Sequence, residues 1–155
     1  MGNSKNDDAV AATAPDSKRK RMGFSAYALV RMADGSEKRA ENIEKGDRVA
    51  DPLTGGSFTV KNVWQGPGVG MFRVTGANGT DLDLTEDQVL VTGGGPVRAN
   101  QITPGAILRL EQGTTSCSGA ERLMGDFMVY DIVPAADTGG PAHLAANGLI
   151  AAAAN

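Results

Sequence analysis

The chain offers few groups for acid–base or nucleophilic chemistry: it has one histidine, His143, and one cysteine, Cys117. A single thiol closes no intrachain disulfide, and one thiol with one imidazole is too few for a thiolate metal set, so no metal and no cofactor is expected. His143 is the only side chain whose ordinary pKa lies near neutrality, which caps the scope for proton transfer. It stands beside Pro141 and Leu144 and reads first as a satisfied loop or half-buried histidine. Cys117, within TTSCSG, has a displaced nucleophile only as its minor reading. Asn78-Gly79 and Asn147-Gly148 are dipeptides that accept the backbone of tight turns.

These groups sit in 155 residues and 16.0 kDa, about the size of one domain. The 21 glycines and 5% aromatic content favour a turn-rich fold of small and β-branched residues over long helices. A formal net charge of −3 argues against nucleic acid as a partner of the folded body, because phosphate neutralisation needs clustered cations. A membrane is disfavoured likewise, and no apolar run is long enough to span one. Residues 1–22 are polar and aperiodic and are expected to form a disordered basic tail or flanking segment. Their Lys18-Arg19-Lys20-Arg21 run leaves a nuclear address, a proteolytic site or a polyanion contact open beside the plain reading of a solvated linker. The start lacks the basic-then-apolar order of a secretion signal. A soluble, cytoplasmic monomer is the expectation.

What must position any site are short apolar runs between turn signals, including FSAYALVRM, SFTVKNVWQG, MFRVTG, TDLDLT, QVLVT, AILRL, FMVYDIV and HLAANGLIAA. Their length and spacing predict β-strands. MFRVTGANGTDLDLT reads as a hairpin through Asn78-Gly79, and AENIEKGDRV as one helical turn before Gly46. The polar, glycine-dotted segment 111–126 predicts a surface loop or hairpin tip. Two stretches also repeat. Setting DGSEKRAENIEKGDRV (34–49) over GGGPVRANQITPGAIL (93–108) places Gly35, Arg39, Ala40, Ile43 and Gly46 on Gly94, Arg98, Ala99, Ile102 and Gly105, at one offset of 59. Glycines at turn positions and an isoleucine at one register are what a duplicated backbone needs. The implied architecture is all-β, a compact pseudo-two-fold body of two related β-lobes.

These phrases together resemble the Hint family, the Hedgehog/intein autoprocessing fold. GFSAYALVRMADGSEKRAENIEKGDRV is similar to the family's opening block, LTEDQVLVTGGGPVRANQITPGAIL to its second, and MVYDIVPAADTGGPAHLAANGLIAAAAN to its closing blocks. The resemblance covers residues 23–155 and implies a domain without an endonuclease insertion. In that family a Cys or Ser at the first position attacks the preceding carbonyl while a His assists the departing nitrogen, and in inteins a terminal Asn cyclises with help from a penultimate His. The flanking polypeptide segments, in cis, are then the partners.

Carried onto this chain, the resemblance gives Gly23 as the nucleophile position, Thr85 and Gln88 as the Thr and His of the second block, Asp131 as the acid of VYDI, and Asn155 as the terminal asparagine. Gly23 has no side chain with which to attack the Met22 carbonyl, and Gln88 hydrogen-bonds but shuttles no proton near neutrality. The terminal His-Asn falls on Ala152 and Ala153, with Asn155 two residues late. His143 sits about one place from the family's upstream histidine. The resemblance therefore implies a splicing or self-cleavage domain, with acyl shift at Met22–Gly23 and Asn cyclisation at the C-terminal end, inactive or impaired as written. The alternative is a non-catalytic β module that binds a peptide or protein partner.

Overall fold

Aliphatic and β-branched residues alternating with polar ones, punctuated by glycine, give fourteen short strands among the described residues, which in this computed structural model are 22–135 and 141–153. They are β1 (Phe24–Ser25), β2 (Leu29–Arg31), β3 (Glu37–Arg39), β4 (Arg48–Ala50), β5 (Ser57–Pro67), β6 (Met71–Gly76) and β7 (Asp81–Thr85) in the first half. The second half supplies β8 (Val89–Thr92), β9 (Gly95–Arg98), β10 (Ile107–Arg109), β11 (Thr114–Arg122), β12 (Met128–Pro134), β13 (His143–Ala146) and β14 (Leu149–Ala152). Apart from Met22, the tail expected at 1–22 lies outside the described residues.

The strands form one antiparallel path, β3-β2-β13-β14-β8-β10-β11-β6-β7-β1-β12-β5-β4, with β9 paired to β8. A bridge from Met32 to Val49 in β4 brings the two ends of the path together, so the sheet curls on itself. The enclosed core is built from inward positions of every layer: Val30, Val49, Leu82, Leu84, Leu90, Leu108, Leu144 and Leu149 are all buried. Fully burying such a side chain contributes on the order of 2 kcal/mol.

Segment 111–126 differs from its sequence reading. It is not a loop: nine of its residues form β11, which pairs with β10 on one side and β6 on the other. Its polarity misleads because only alternate residues face inward, Thr115 and Cys117 being buried between exposed neighbours. Partners on both edges satisfy its backbone, so side-chain propensity does not decide the matter.

The internal repeat is a structural two-fold. Arg39 and Arg98 precede matching 3₁₀ turns, Ala40–Asn42 and Ala99–Gln101, with φ/ψ of −63/144° and −71/150°. Ala40 and Ala99 are both fully buried, and Ile43 and Ile102 close the turns by donating N–H to Ala40 O and Ala99 O. Gly46 and Gly105 follow at φ 93° and 94°, donating to Val60 O and Cys117 O at 2.8 Å each. The expected pairing of Gly35 with Gly94 needs correction. The positive-φ glycine at the β8–β9 turn is Gly95, because that turn is one residue shorter than the β2–β3 turn. Ahead of the turn the offset is therefore sixty. Ala28 O and Gln88 O accept from Ala40 N and Ala99 N, and Ala26 O and Glu86 O accept from Glu41 N and Asn100 N.

Candidate functional site

The offset of sixty places Phe24 on Leu84 and Ser25 on Thr85. In the sheet Phe24 and Leu84 face each other directly across β1 and β7, so the pseudo-dyad passes between these two strands. Phe24 also pairs with Tyr130 of β12. Continuing both registers one step outward sets Gly23, Thr85 and Asp131 in a single cross-strand row, on the sheet face opposite Phe24 and Leu84. Three of the residues assigned through the resemblance are thus brought together by one register.

The contacts within that row are specific. Gly23 N–H donates to Thr85 Oγ1 at 3.2 Å, and Thr85 N–H donates back to Gly23 O at 3.0 Å. Thr85 is buried, as is Asp131, which lies opposite Trp64 of β5. Gly23 is pressed against β12: a Cβ placed on it would stand 2.6 Å from Tyr130 O, 2.9 Å from Tyr130 C and 3.4 Å from Asp131 N. The backbone here uses the absence of a side chain for close approach, not for an unusual φ. No nucleophile-bearing residue fits at 23 unless the chain moves.

Gln88 is not in the row. Its side-chain amide donates to Ala152 O at 2.7 Å and to Val89 O at 3.1 Å, so it ties β8 to the last described turn of chain at β14. Ala152 and Ala153 are the positions assigned to the terminal His-Asn, and Ala153 N–H donates to Ala142 O at 2.9 Å. Asn155 lies outside the described residues. The turn Thr85–Gln88 nonetheless touches both the residue before β1 and the last residue of β14, Gly23 through Thr85 and Ala152 through Gln88. His143 is half-buried, pairs across from Ala152, and donates its backbone N–H to Asp51 Oδ2 at 3.2 Å. Cys117 is buried with its thiol on Gly119 O, paired to Gly76 at the far end of β6 from Met71, the residue that faces Thr85. A thiol placed there has no contact with the row.

The functional reading of the sequence passed over a polar cluster one step along the same face. Asp83 is buried; Arg73 binds it bidentately, Nε to Oδ1 at 2.7 Å and Nη2 to Oδ2 at 2.9 Å, and the Tyr27 hydroxyl also donates to Oδ2. Burial pushes the Asp83 carboxyl up, but the Arg73 and Tyr27 hydrogen bonds and the Arg73 charge outweigh it and hold the group below its ordinary range. The same hydrogen bond to Asp83 raises Tyr27, with burial adding to it, and Arg73 is raised chiefly by its bond to Asp83. The signal was present in the sequence, since alternation in DLDLT puts Asp83 on the Thr85 face and the hairpin register sets Arg73 opposite.

Among the described residues no group of three His, Cys, Asp or Glu side chains is placed to hold a metal ion, and no helix is long and apolar enough to cross a membrane.

The closed antiparallel path, the internal dyad and the meeting of β1 and β14 at the Thr85–Gln88 turn define an intein-like Hint fold. The chain is similar to the crystal structure of the gp41-1 intein, at 20% identity over 84% of this chain and 97% of that one, with a TM-score of 0.71. It is similar also to the DnaB intein from Synechocystis sp. PCC 6803, at 17% identity over 86% and 99%, TM-score 0.70. The bacterial intein-like domain from Clostridium thermocellum matches at 20% identity over 85% and 98%, TM-score 0.70. No protein-family model matches the chain, and no curated protein matches it in sequence.

Proposed function

We propose that this chain is an autoprocessing scaffold of the splicing and self-cleavage class, acting in cis between flanking polypeptide segments, whose first junction is chemically silent. The observation that carries the reading is the geometry at Gly23. Its amide nitrogen, the atom that leaves in an acyl shift at Met22–Gly23, is already held by Thr85 Oγ1, while the attacking side chain is missing and its space is taken by Tyr130. The threonine oxygen accepts that nitrogen's N–H and gives it no proton, and Gln88, committed to Ala152, supplies none either. What remains is positioning without a nucleophile. A terminal Asn cyclisation at Asn155 belongs to the same reading, although Ala152 and Ala153 stand where its histidine and asparagine are expected.

The test is an intact-mass time course of the full chain and of Gly23→Cys, both in thiol near neutral pH. The reading expects the unmodified chain to keep residues 1–22, and the variant to lose them at the cost of a displaced β12 edge. If the variant stays folded and whole, the silent-scaffold reading fails and the non-catalytic β module that binds a peptide or protein partner takes its place.

A further inference from the structure

The cations of the folded body fall into two sets. Arg31, Lys38, Arg39, Arg73 and Arg122 each stand within 3.3 Å of a carboxylate oxygen. Lys45 and Lys61 form no ion pair among the described residues, and the Arg48 guanidinium donates to hydroxyls instead, Nη1 to Thr59 Oγ1 at 2.9 Å and Nη2 to Ser57 Oγ at 2.5 Å. All three are exposed, and they share one face. Ser57, Thr59 and Lys61 alternate along β5 with the buried Phe58 and Val60, Arg48 lies across from Thr59 on β4, and Lys45 is in the turn that enters β4. Lys45, Thr59, Lys61 and Asn62 rim a depression of about 530 Å³ whose remaining wall is Gly46, Val60 and Ala135. The acids flanking Lys45 in sequence, Glu44 and Asp47, are answered by Lys38: its Nζ donates to Asp47 Oδ2 at 2.8 Å, and both charges hold its pKa up.

The second lobe builds the same backbone without these charges. Gly46 N–H to Val60 O and Val60 N–H to Asp47 O recur as Gly105 N–H to Cys117 O and Cys117 N–H to Ala106 O. Arg48 opposite Thr59 recurs as Ile107 opposite Ser116. Lys61 is the extra residue of a bulge, since Asn62 and Val60 pair with consecutive residues of β12, and Ser118 is the extra residue of the matching bulge against β6. Lys45, Arg48 and Lys61 therefore stand where the dyad puts Pro104, Ile107 and Ser118. The turn, the ladder and the bulge need a cation at none of the three places, and like charges left uncompensated oppose folding by self-repulsion. A bulge re-aims the residue it carries, here a lysine onto the rim of the depression.

We propose that this face of β4 and β5 is a docking site for an acidic peptide segment, whose carboxylates meet Lys45 and Lys61 across the depression with Arg48 beside them. Ammonium groups on flexible stems, with rotatable donors, suit the mobile carboxylates of a peptide better than a fixed bidentate clamp would. Duplex nucleic acid is a poorer fit, because three cations on a chain of net charge −3 neutralise too few phosphates. The site uses no residue of the Gly23 row and holds whether or not the first junction is silent.

The test is a titration of hexaglutamate peptide into the full, isotope-labelled chain, followed by NMR at low and at physiological salt. Amide shifts are expected to gather at Lys45, Gly46, Arg48 and residues 59–62, and to shrink as salt rises. Lys45→Gln/Lys61→Gln is expected to weaken binding about tenfold with the amide spectrum of a folded protein. Arg98→Gln/Arg109→Gln, which removes the same charge from exposed positions on β9 and β10, is expected to leave binding within about twofold of wild type. Shifts confined to residues 18–21 overturn the proposal, as does a Lys45→Gln/Lys61→Gln chain that binds like wild type. Inorganic phosphate moving the same amides further than the peptide does, at equal concentration of charge, also overturns it and makes the depression a phosphate site.

Discussion

Gly23 and Thr85, sixty-two positions apart in sequence, exchange two hydrogen bonds: the Gly23 amide gives to the Thr85 hydroxyl at 3.2 Å and the Thr85 amide gives to the Gly23 carbonyl at 3.0 Å. One bond is an ordinary ladder bond. The other spends the threonine side chain on the Gly23 backbone nitrogen, so Thr85 anchors the start of β1 through both its backbone and its hydroxyl.

Thr85→Val keeps the shape of the side chain and removes that acceptor. Leaving the Gly23 amide without its partner in a buried site is expected to cost about 1–3 kcal/mol in urea unfolding. Amide hydrogen exchange at Gly23 and Phe24 should quicken by more than global unfolding accounts for. An unchanged midpoint with unchanged exchange would show that Thr85 Oγ1 does not hold the Gly23 amide.

Gln88→Met conserves volume but removes the amide that reaches Ala152 O. The expected loss is about 1 kcal/mol, the net worth of one such bond, with exchange of the β14 amides rising first. If β14 is as protected as before while stability falls, the role of Gln88 is packing and not the tie between β8 and the C-terminal end.

Asp83 gives a pH dependence of definite sign. Its carboxyl is depressed in the folded state by Arg73 and Tyr27 against the opposing effect of burial, so its contribution to stability is present above the unfolded value of about 4 and is lost as pH falls through the lower folded value. Asp83→Asn is expected to destabilise the protein at neutral pH by about 2 kcal/mol and to flatten the fall of stability below about pH 4. Parallel acid-unfolding curves for wild type and variant would exclude this source.

Gly46 and Gly105 test the dyad. Both have φ near 93° and open space where a Cβ would go, so Gly→Ala at either site adds left-handed strain of about 1 kcal/mol without a clash. Equal losses in thermal or urea unfolding are expected from the two single variants, adding in the double because the sites share no contact. A marked inequality would mean that the matched turns are matched in backbone alone.

Much was legible in the chain itself. Local chemistry determined most of the strands, the 3₁₀ turns after Arg39 and Arg98, and the Asn147-Gly148 turn, where Asn147 at φ 50° and Gly148 at φ 85° take the backbone that the dipeptide favours. In the other turn only Gly79 is left-handed, and Asn78 Oδ1 accepts Thr80 N–H instead. Sequence likewise determined that residue 23 carries no nucleophile, since that needs only a residue's identity. What it did not determine depends on pairing over long separations. Segment 111–126 is a strand because β6 and β10 supply partners, Gln88 belongs to Ala152 because β8 lies beside β14, and a side chain at 23 fits only if β12 shifts because Tyr130 is pressed against it. Periodicity fixes which face a residue takes, whereas register across a sheet fixes which residue it meets, and only the closed tertiary structure chooses the register.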